Sequence, residues 1–314
     1  MYFRHVLSSA ALGLLLAAGH ARAAQPPVPK QKVILDTDIG DDIDDAFALA
    51  LAFRSPELQI LQIDSAYGDT HLRTRLLERF LHDAALPQVP VAEGVVTHAT
   101  NVFTQRAYAE QQAEPSQPYP DAIGTSLDLI RNSPGEITLI AIAPLSNIGA
   151  MIDRDPATFR KLKRVVLMGG SVHQGYGDNK APEPEWNIKM DISSAQKLFA
   201  SGVPIFVMPL DATNLKLDEA KRQSVFKHGS PLTDQLDLLY KQWGSGTPTL
   251  FDAMAVAYAI DPGLCPTTPL HLSVDDRGMT ISGAGAPNAQ VCLKSSSDAF
   301  FHFYLPRVLA PSGD

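Results

Sequence analysis

The sequence predicts an α/β fold: a mainly parallel central sheet with helices on both faces and short β segments near the C-terminus. Three observations carry this expectation. Short apolar runs alternate with helically spaced segments through most of the 314 residues, the pattern of successive βα units. Several runs are almost uninterrupted, as in Ile137-Thr138-Leu139-Ile140-Ala141-Ile142 and Arg164-Val165-Val166-Leu167-Met168, which suits strands buried on both faces. Polar clusters stand at the ends of these runs, where sheets of this kind bind their ligands.

The N-terminus is a separate unit. Arg4 and His5 precede the apolar run Val6–Ala18, and Ala21-Arg22-Ala23 follows. This is the charged, apolar and small-residue succession of a secretory signal over 1–23, with an extended, proline-rich leader over 24–31. The apolar run is too short to span a membrane. Export to the periplasm or the medium is therefore expected. One domain follows over 32–314, since neither a repeat nor a low-complexity tract interrupts it.

Within that domain, Lys32–Thr37 reads as the first strand and Asp44–Arg54 as the first helix. Leu58–Ile63 is a second strand. Leu72, Leu76, Leu77, Phe80 and Leu81 lie at helical spacing over 70–85. A third strand is expected at 89–92, and then a polar loop over 93–120, a length that favours a lid. A helix over 123–131 leads to the strand 137–142, and 143–148 turns into the next helix. The strand 164–168 stops at Gly169-Gly170 and opens a loop reaching Trp186-Asn187. A helix over 191–200, a strand over 204–210 and helices over 218–227, 232–243 and 252–260 follow. Short strands at 270–274, 279–282 and 290–294 and a last helix over 298–308 complete the chain.

Composition restricts the partners. A formal net charge of −8 lacks the basic footprint that nucleic acid demands, and a neutral or cationic small molecule suits it better. There is no Walker loop, no G-x-G-x-x-G and no zinc-spaced His or Cys array. The two cysteines, Cys265 and Cys292, fit either a disulfide, which an oxidising compartment would permit, or two buried thiols.

The most informative stretch joins the first strand to the first helix. Between residues 36 and 45 stand Asp36, Asp38, Asp41, Asp42, Asp44 and Asp45. One or two aspartates would cap a helix. Six repel one another unless a cation neutralises them, and a hard divalent ion such as Ca²⁺ or Mg²⁺ is the natural partner of clustered oxygen ligands. Further along, Glu185-Trp186-Asn187, with Asn179 upstream, offers amide and carboxylate groups suited to a polyol, although Asn179 also fits a plain turn. Asp252 opens a helix and fits an N-cap as well as a ligand.

Taken together, the aspartate turn, Val165-Val166-Leu167-Met168-Gly169-Gly170, Glu185-Trp186-Asn187-Ile188 and Phe251-Asp252-Ala253 resemble the inosine–uridine-preferring nucleoside hydrolase family, in its order and at about its spacing, from Lys32 to near Leu309. The resemblance implies a Ca²⁺-dependent enzyme that splits a nucleoside into ribose and free base. It implies that Asp38 is the general base and a metal ligand. Asp45, Asp252 and the Ile142 carbonyl would complete the metal set, and Asp44, Asn179, Glu185 and Asn187 would bind ribose. A homodimer or homotetramer is implied as well. The chain departs from the family at three points. Its aspartate turn is two residues longer, with Ile39 at the usual proline, so Asp41 or Asp42 competes for the roles given to Asp38 and Asp44. Phe251 stands where a leaving-group histidine is usual, which brings His98, Tyr108, His173, Tyr240, Trp243 and Phe251 itself into view on the base side. Asp69 replaces an asparagine. Two other readings stand beside the main one: hydrolysis of a different N-riboside, and a non-catalytic ribose- or nucleoside-binding protein.

Overall fold

The protein is described here from a computed structural model covering residues 1–2 and 29–311; the expected signal segment and most of the leader lie outside the described residues. Nine strands form one sheet: β1 (Gln31–Thr37), β2 (Leu58–Ser65), β3 (Val91–Glu93), β4 (Thr138–Ile142), β5 (Arg164–Met168), β6 (Ile205–Met208), β7 (Thr267–Val274), β8 (Thr280–Gly283) and β9 (Ala289–Cys292). Their order is β3-β2-β1-β4-β5-β6-β9-β7-β8. All pairings from β3 across to β9 are parallel, and β7 runs antiparallel to both β9 and β8. The sheet is thus mainly parallel, as the apolar runs imply.

Side-chain alternation divides the core into two layers. Val33, Leu35, Ile140, Ile142, Val166 and Met168 enter one. Ile34, Leu139, Ala141, Val165 and Leu167 enter the other. Each strand therefore needs apolar residues at consecutive positions. The helix Asp44–Phe53 is buried over nearly its whole length, which explains why the run Ala46–Leu51 carries no polar face.

Strand order positions the site. The chain moves outward from β1 to β2 and β3 on one side, then returns to place β4 on the other. Thr37 pairs with Ile142 at the carboxyl ends of β1 and β4. This reversal opens a crevice beyond the strand ends, the place where doubly wound sheets bind ligands.

Several expected elements differ. The 93–120 segment includes a short helix, Arg106–Ala109. The strand expected over 204–210 is cut to Ile205–Met208, and Leu210–Thr213 is helical; Pro209 between them has no N–H for a ladder. Trp186–Met190 is a helix capped by the Glu185 side chain rather than the end of a loop. The last strand ends at Cys292, where Cys265 forms a disulfide with it (Cα–Cα 5.6 Å), deciding between the two readings of the cysteines. Among the described residues, no helix is long and apolar enough to cross a membrane.

Candidate active site

A cavity of about 370 Å³ lies over the carboxyl ends of β1, β4 and β5. Asp38, Asp44, Asp45, Ile142, Glu185, Asn187 and Asp252 line it, with Trp243 and Phe251. These residues come from separate segments of the chain, and each is placed by a local feature.

The aspartate turn continues β1. Thr37 Oγ1 donates to Asp45 Oδ1 and accepts from the Ile39 N–H at 3.2 Å, so one hydroxyl fixes both limbs of the turn. Gly40 has φ +127°, and a Cβ there would sit 1.6 Å from the Phe103 ring. Only glycine lets the turn pass under that ring. Asp44 and Asp45 then open the helix and are 4% and 3% exposed. Asp252 meets them from the opposite side, its N–H donating to Asp44 Oδ2 at 3.3 Å.

Asp44, Asp45 and Asp252 each offer a carboxylate oxygen, and these three oxygens lie within 4.8 Å of one another. Burial first, and the neighbouring carboxylates second, push all three well above the usual carboxylate range. Asp38 is raised too, by burial and then by Asp45, with Arg73 opposing. Three buried carboxylate oxygens converging in this way fit a hard divalent ion. Asp44 is thus part of the close triple, while Asp38 lies beside it in the same cavity. All members of the expected set, Asp38, Asp45, Ile142 and Asp252 for the metal and Asp44 for ribose, line this one cavity. The helix start brings Asp44 and Asp45 together, whereas Asp38 stands across the lengthened turn.

Glu185 is held by three main-chain donors: Asn187 N–H to Oε1 at 2.9 Å, and Gly170 and Ile188 N–H to Oε2 at 2.9 and 3.1 Å. Burial outweighs these donors and pushes its carboxyl up to about 7. Asn187 Nδ2 donates to the Met168 carbonyl at 3.1 Å. Asn179 is not with them. It is exposed and bonded to Glu183 and Ala181 within its own loop, the turn-forming alternative. Tyr176 occupies the wall instead, its hydroxyl accepting from Trp186 N–H at 2.8 Å and its ring edge-on to Phe251 at 5.7 Å.

Of the base-side candidates, Trp243 and Phe251 line the cavity. Tyr240 packs behind Trp243 with ring centroids 6.0 Å apart and spends its hydroxyl on the Gly246 carbonyl. His98 and His173 are exposed and outside the lining. Tyr108 is buried and donates to Gln235. Asp69 caps the helix Thr70–Asp83 through Leu72 N–H. Asp42 is exposed, and Asp41 is bonded to Arg73 at 2.6 Å and to Asn101. Sequence reasoning passed over Arg73, Asn101, Thr104 and Tyr176. Arg73 alone carried a signal: it lies three, four and seven residues before Leu76, Leu77 and Phe80, a cation on the apolar stripe of a helix.

The sequence matches the family model described as inosine-uridine preferring nucleoside hydrolase over residues 33–302. It is 30% identical over 296 residues to the non-specific ribonucleoside hydrolase RihC of Klebsiella pneumoniae, covering 85% of this chain and 95% of that protein. It is 28% identical over 308 residues to the pyrimidine-specific ribonucleoside hydrolase RihA of Salmonella gallinarum, covering 88% and 97%. Among solved structures, a purine-preferring ribonucleoside hydrolase from Gardnerella vaginalis superposes with a TM-score of 0.74 at 25% identity, over 89% of this chain and 98% of that one. A plant nucleoside hydrolase superposes with a TM-score of 0.77 at 24% identity, over 90% and 100%; that likeness speaks for the fold.

Proposed function

The chain belongs to the inosine-uridine preferring nucleoside hydrolase family and is a nucleoside N-ribohydrolase, and from that premise we propose a Ca²⁺-dependent reaction in which Asp38 is the general base. The observation that carries this reading is the convergence of Asp44, Asp45 and Asp252 at the β1–β4 crevice, with Asp38 in the same cavity.

In this reading Asp45 and Asp252 hold the cation, with Asp44 and the Ile142 carbonyl within the same pocket. When bound, the ion supplies positive charge that acidifies and orients a water. Asp38 would take the proton of the attacking water as the water oxygen bonds to the anomeric carbon, and the C–N electron pair would leave with the base. Positive charge develops on the sugar as in other glycoside cleavages, and the surrounding carboxylates stabilise it. Asp41 is a weaker candidate for the base because Arg73 and Asn101 already engage its carboxylate. Glu185 and Asn187 are the polar groups placed for ribose hydroxyls.

The relatives' names range in preference from non-specific to pyrimidine and purine. Phe251, edge-on to Tyr176 and beside Trp243 in the lining, gives the base side an aromatic character. It favours a second reading, cleavage of an N-riboside whose base departs without a histidine acid. We further propose export through residues 1–23, which the Cys265–Cys292 disulfide suits, and assembly as a homodimer or homotetramer. A panel of nucleosides assayed with and without chelator tests the activity: base release lost on chelation is the expected result. Turnover insensitive to chelator overturns the metal dependence, and tight ribose binding with no turnover of any riboside overturns the hydrolase reading.

A further inference from the structure

Between the end of β1 at Thr37 and the start of the first helix at Asp44, the chain leaves the sheet ladder, so the carbonyls of the turn need other donors. The 93–120 segment serves three of them: Gln105 N–H donates to Gly40 at 2.9 Å, Thr104 Oγ1 to Asp41 at 2.6 Å and Gln105 Nε2 to Asp42 at 2.8 Å. The two nearest the strand belong to Arg73, which is 1% exposed. Its Nη1 donates to the carbonyls of Asp38 and, at 2.9 Å, Ile39, while Nη2 donates to Asp41 Oδ2 at 2.6 Å. Nε donates to the Tyr67 carbonyl at 2.7 Å. Tyr67 has φ +63°, a left-handed conformation that bulky residues rarely enter and that marks a backbone constrained by its surroundings.

The contact at Asp38 completes a clamp. A peptide unit is planar, so fixing its C=O and its N–H fixes the whole plane. For the unit joining Asp38 to Ile39, Arg73 holds the carbonyl and Thr37 Oγ1 holds the Ile39 N–H at 3.2 Å. On the other side of Asp38, Thr37 is paired with Ile142 in the sheet. The Cα of Asp38 is thus held from both sides, and with it the direction in which the side chain leaves the backbone. Asp38 lines the cavity and Arg73 does not. Resting on the reading of Asp38 as general base, we propose that Arg73 is a positioning residue for catalysis: its guanidinium fork aims the Asp38 carboxylate at the attacking water without touching the substrate.

The test is a double-mutant cycle in kcat on the purified protein with uridine and inosine at saturating Ca²⁺. Arg73→Lys keeps the positive charge but cannot serve the Tyr67 carbonyl, both turn carbonyls and Asp41 together. It should lower kcat about 30-fold, within the hundredfold that a misplacement near 1 Å costs, with KM within about threefold of wild type. In the Asp38→Asn background, where no base is left to aim, the same substitution should lower kcat by less than about threefold. The melting temperature of Arg73→Lys should still rise with Ca²⁺ as in wild type, which separates a misaimed base from a damaged metal site. Arg73→Gln, read in the same cycle, should give the same pattern and keeps the test standing if the lysine variant does not fold. Equal kcat losses in both backgrounds, or a loss carried by KM and by the Ca²⁺ response, are what a merely structural arginine gives. Either result overturns the inference and leaves the hydrolase reading intact, as does an Arg73→Lys kcat within about threefold of wild type. An Asp38→Asn rate within about tenfold of wild type removes the base reading and the inference with it. A wild-type protein that hydrolyses neither nucleoside overturns both.

Discussion

Calcium should stabilise this fold by an amount that can be estimated from the carboxylate cluster. Asp44, Asp45 and Asp252 are each at most 4% exposed, with ligand oxygens within 4.8 Å of one another. Without a cation, burial and mutual repulsion push their pKa values up, so the fold keeps protons that the unfolded chain releases. For raised carboxylates, stability is greatest at low pH and falls as pH rises toward the folded-state values. A cation that binds only the folded state adds RT ln(1 + [L]/Kd), about 2.7 kcal/mol at a hundredfold excess over Kd. For a chain of this size the unfolding entropy is about 0.6 kcal/mol per degree, so the melting temperature should rise about 5 °C. The rise should be larger at pH 8 than at pH 6, because protons compete for the same oxygens.

The assay is thermal unfolding of chelator-treated protein titrated with Ca²⁺ at both pH values. Asp45→Asn should raise the melting temperature of the metal-free protein, since one buried charge is gone, and reduce the Ca²⁺ response to about 1 °C or less. A wild-type protein indifferent to millimolar Ca²⁺ at pH 8 would refute the reasoning, as would an undiminished response in Asp45→Asn. A larger response to Mg²⁺ than to Ca²⁺ would keep the site and change the ion.

Three further outcomes are expected. Asp38→Asn should lower kcat by about 10²–10⁴-fold with a retained Ca²⁺ melting shift; a rate within tenfold of wild type would move the base elsewhere. Asp64 is buried, pushed up to about 8 by burial and then by the Asp36 charge, with Ser126 and Gln62 donating to it. Its contribution is complete below the unfolded value near 3.8 and is lost as pH rises through about 8, so it should cost about 2 kcal/mol of stability between about pH 6 and 8. Asp64→Asn should remove that slope from denaturant melts across this range, and an unchanged slope would contradict the assignment. Replacing both Cys265 and Cys292 by alanine opens a link between residues 27 apart in sequence. The loss should be about 3–4 kcal/mol, read as a melting temperature about 6 °C lower.

The parts of this molecule legible in the sequence are those governed by periodicity and local chemistry. The runs 137–142 and 164–168 announced buried parallel strands because both faces of the sheet demand apolar residues, and Ile34 and Leu35 do enter opposite layers. Asp44 and Asp45 were legible because adjacent aspartates at a helix start, followed by an apolar helix, leave no solvent to dilute their charge. Asn179 stands outside the cavity lining because its place depends on the path of an irregular loop, and that path is set by Glu183 accepting from both Tyr176 N–H and Asn179 Nδ2. No periodic signal encodes such a path, nor the folding of the 93–120 loop against the aspartate turn.

The lengthened turn shows how the two kinds of information combine. Its extra carboxylates would be a liability if all of them faced the cavity floor, since each added buried charge raises its neighbours further. The structure disposes of them differently. Asp42 stays at the cavity border, exposed and accepting from the next residue's N–H at 2.6 Å, and its charge still raises Asp44. Asp41 is neutralised by Arg73, which also ties down the carbonyls of Asp38 and Ile39. One cation on an otherwise apolar helix stripe thus answers the question that the aspartates raise: it engages Asp41 and the backbone of the turn, and leaves the carboxylate of Asp38 free beside Asp45. In the proposed reaction, Arg73 as the partner of the turn engages Asp41 and so leaves Asp38 to take the proton.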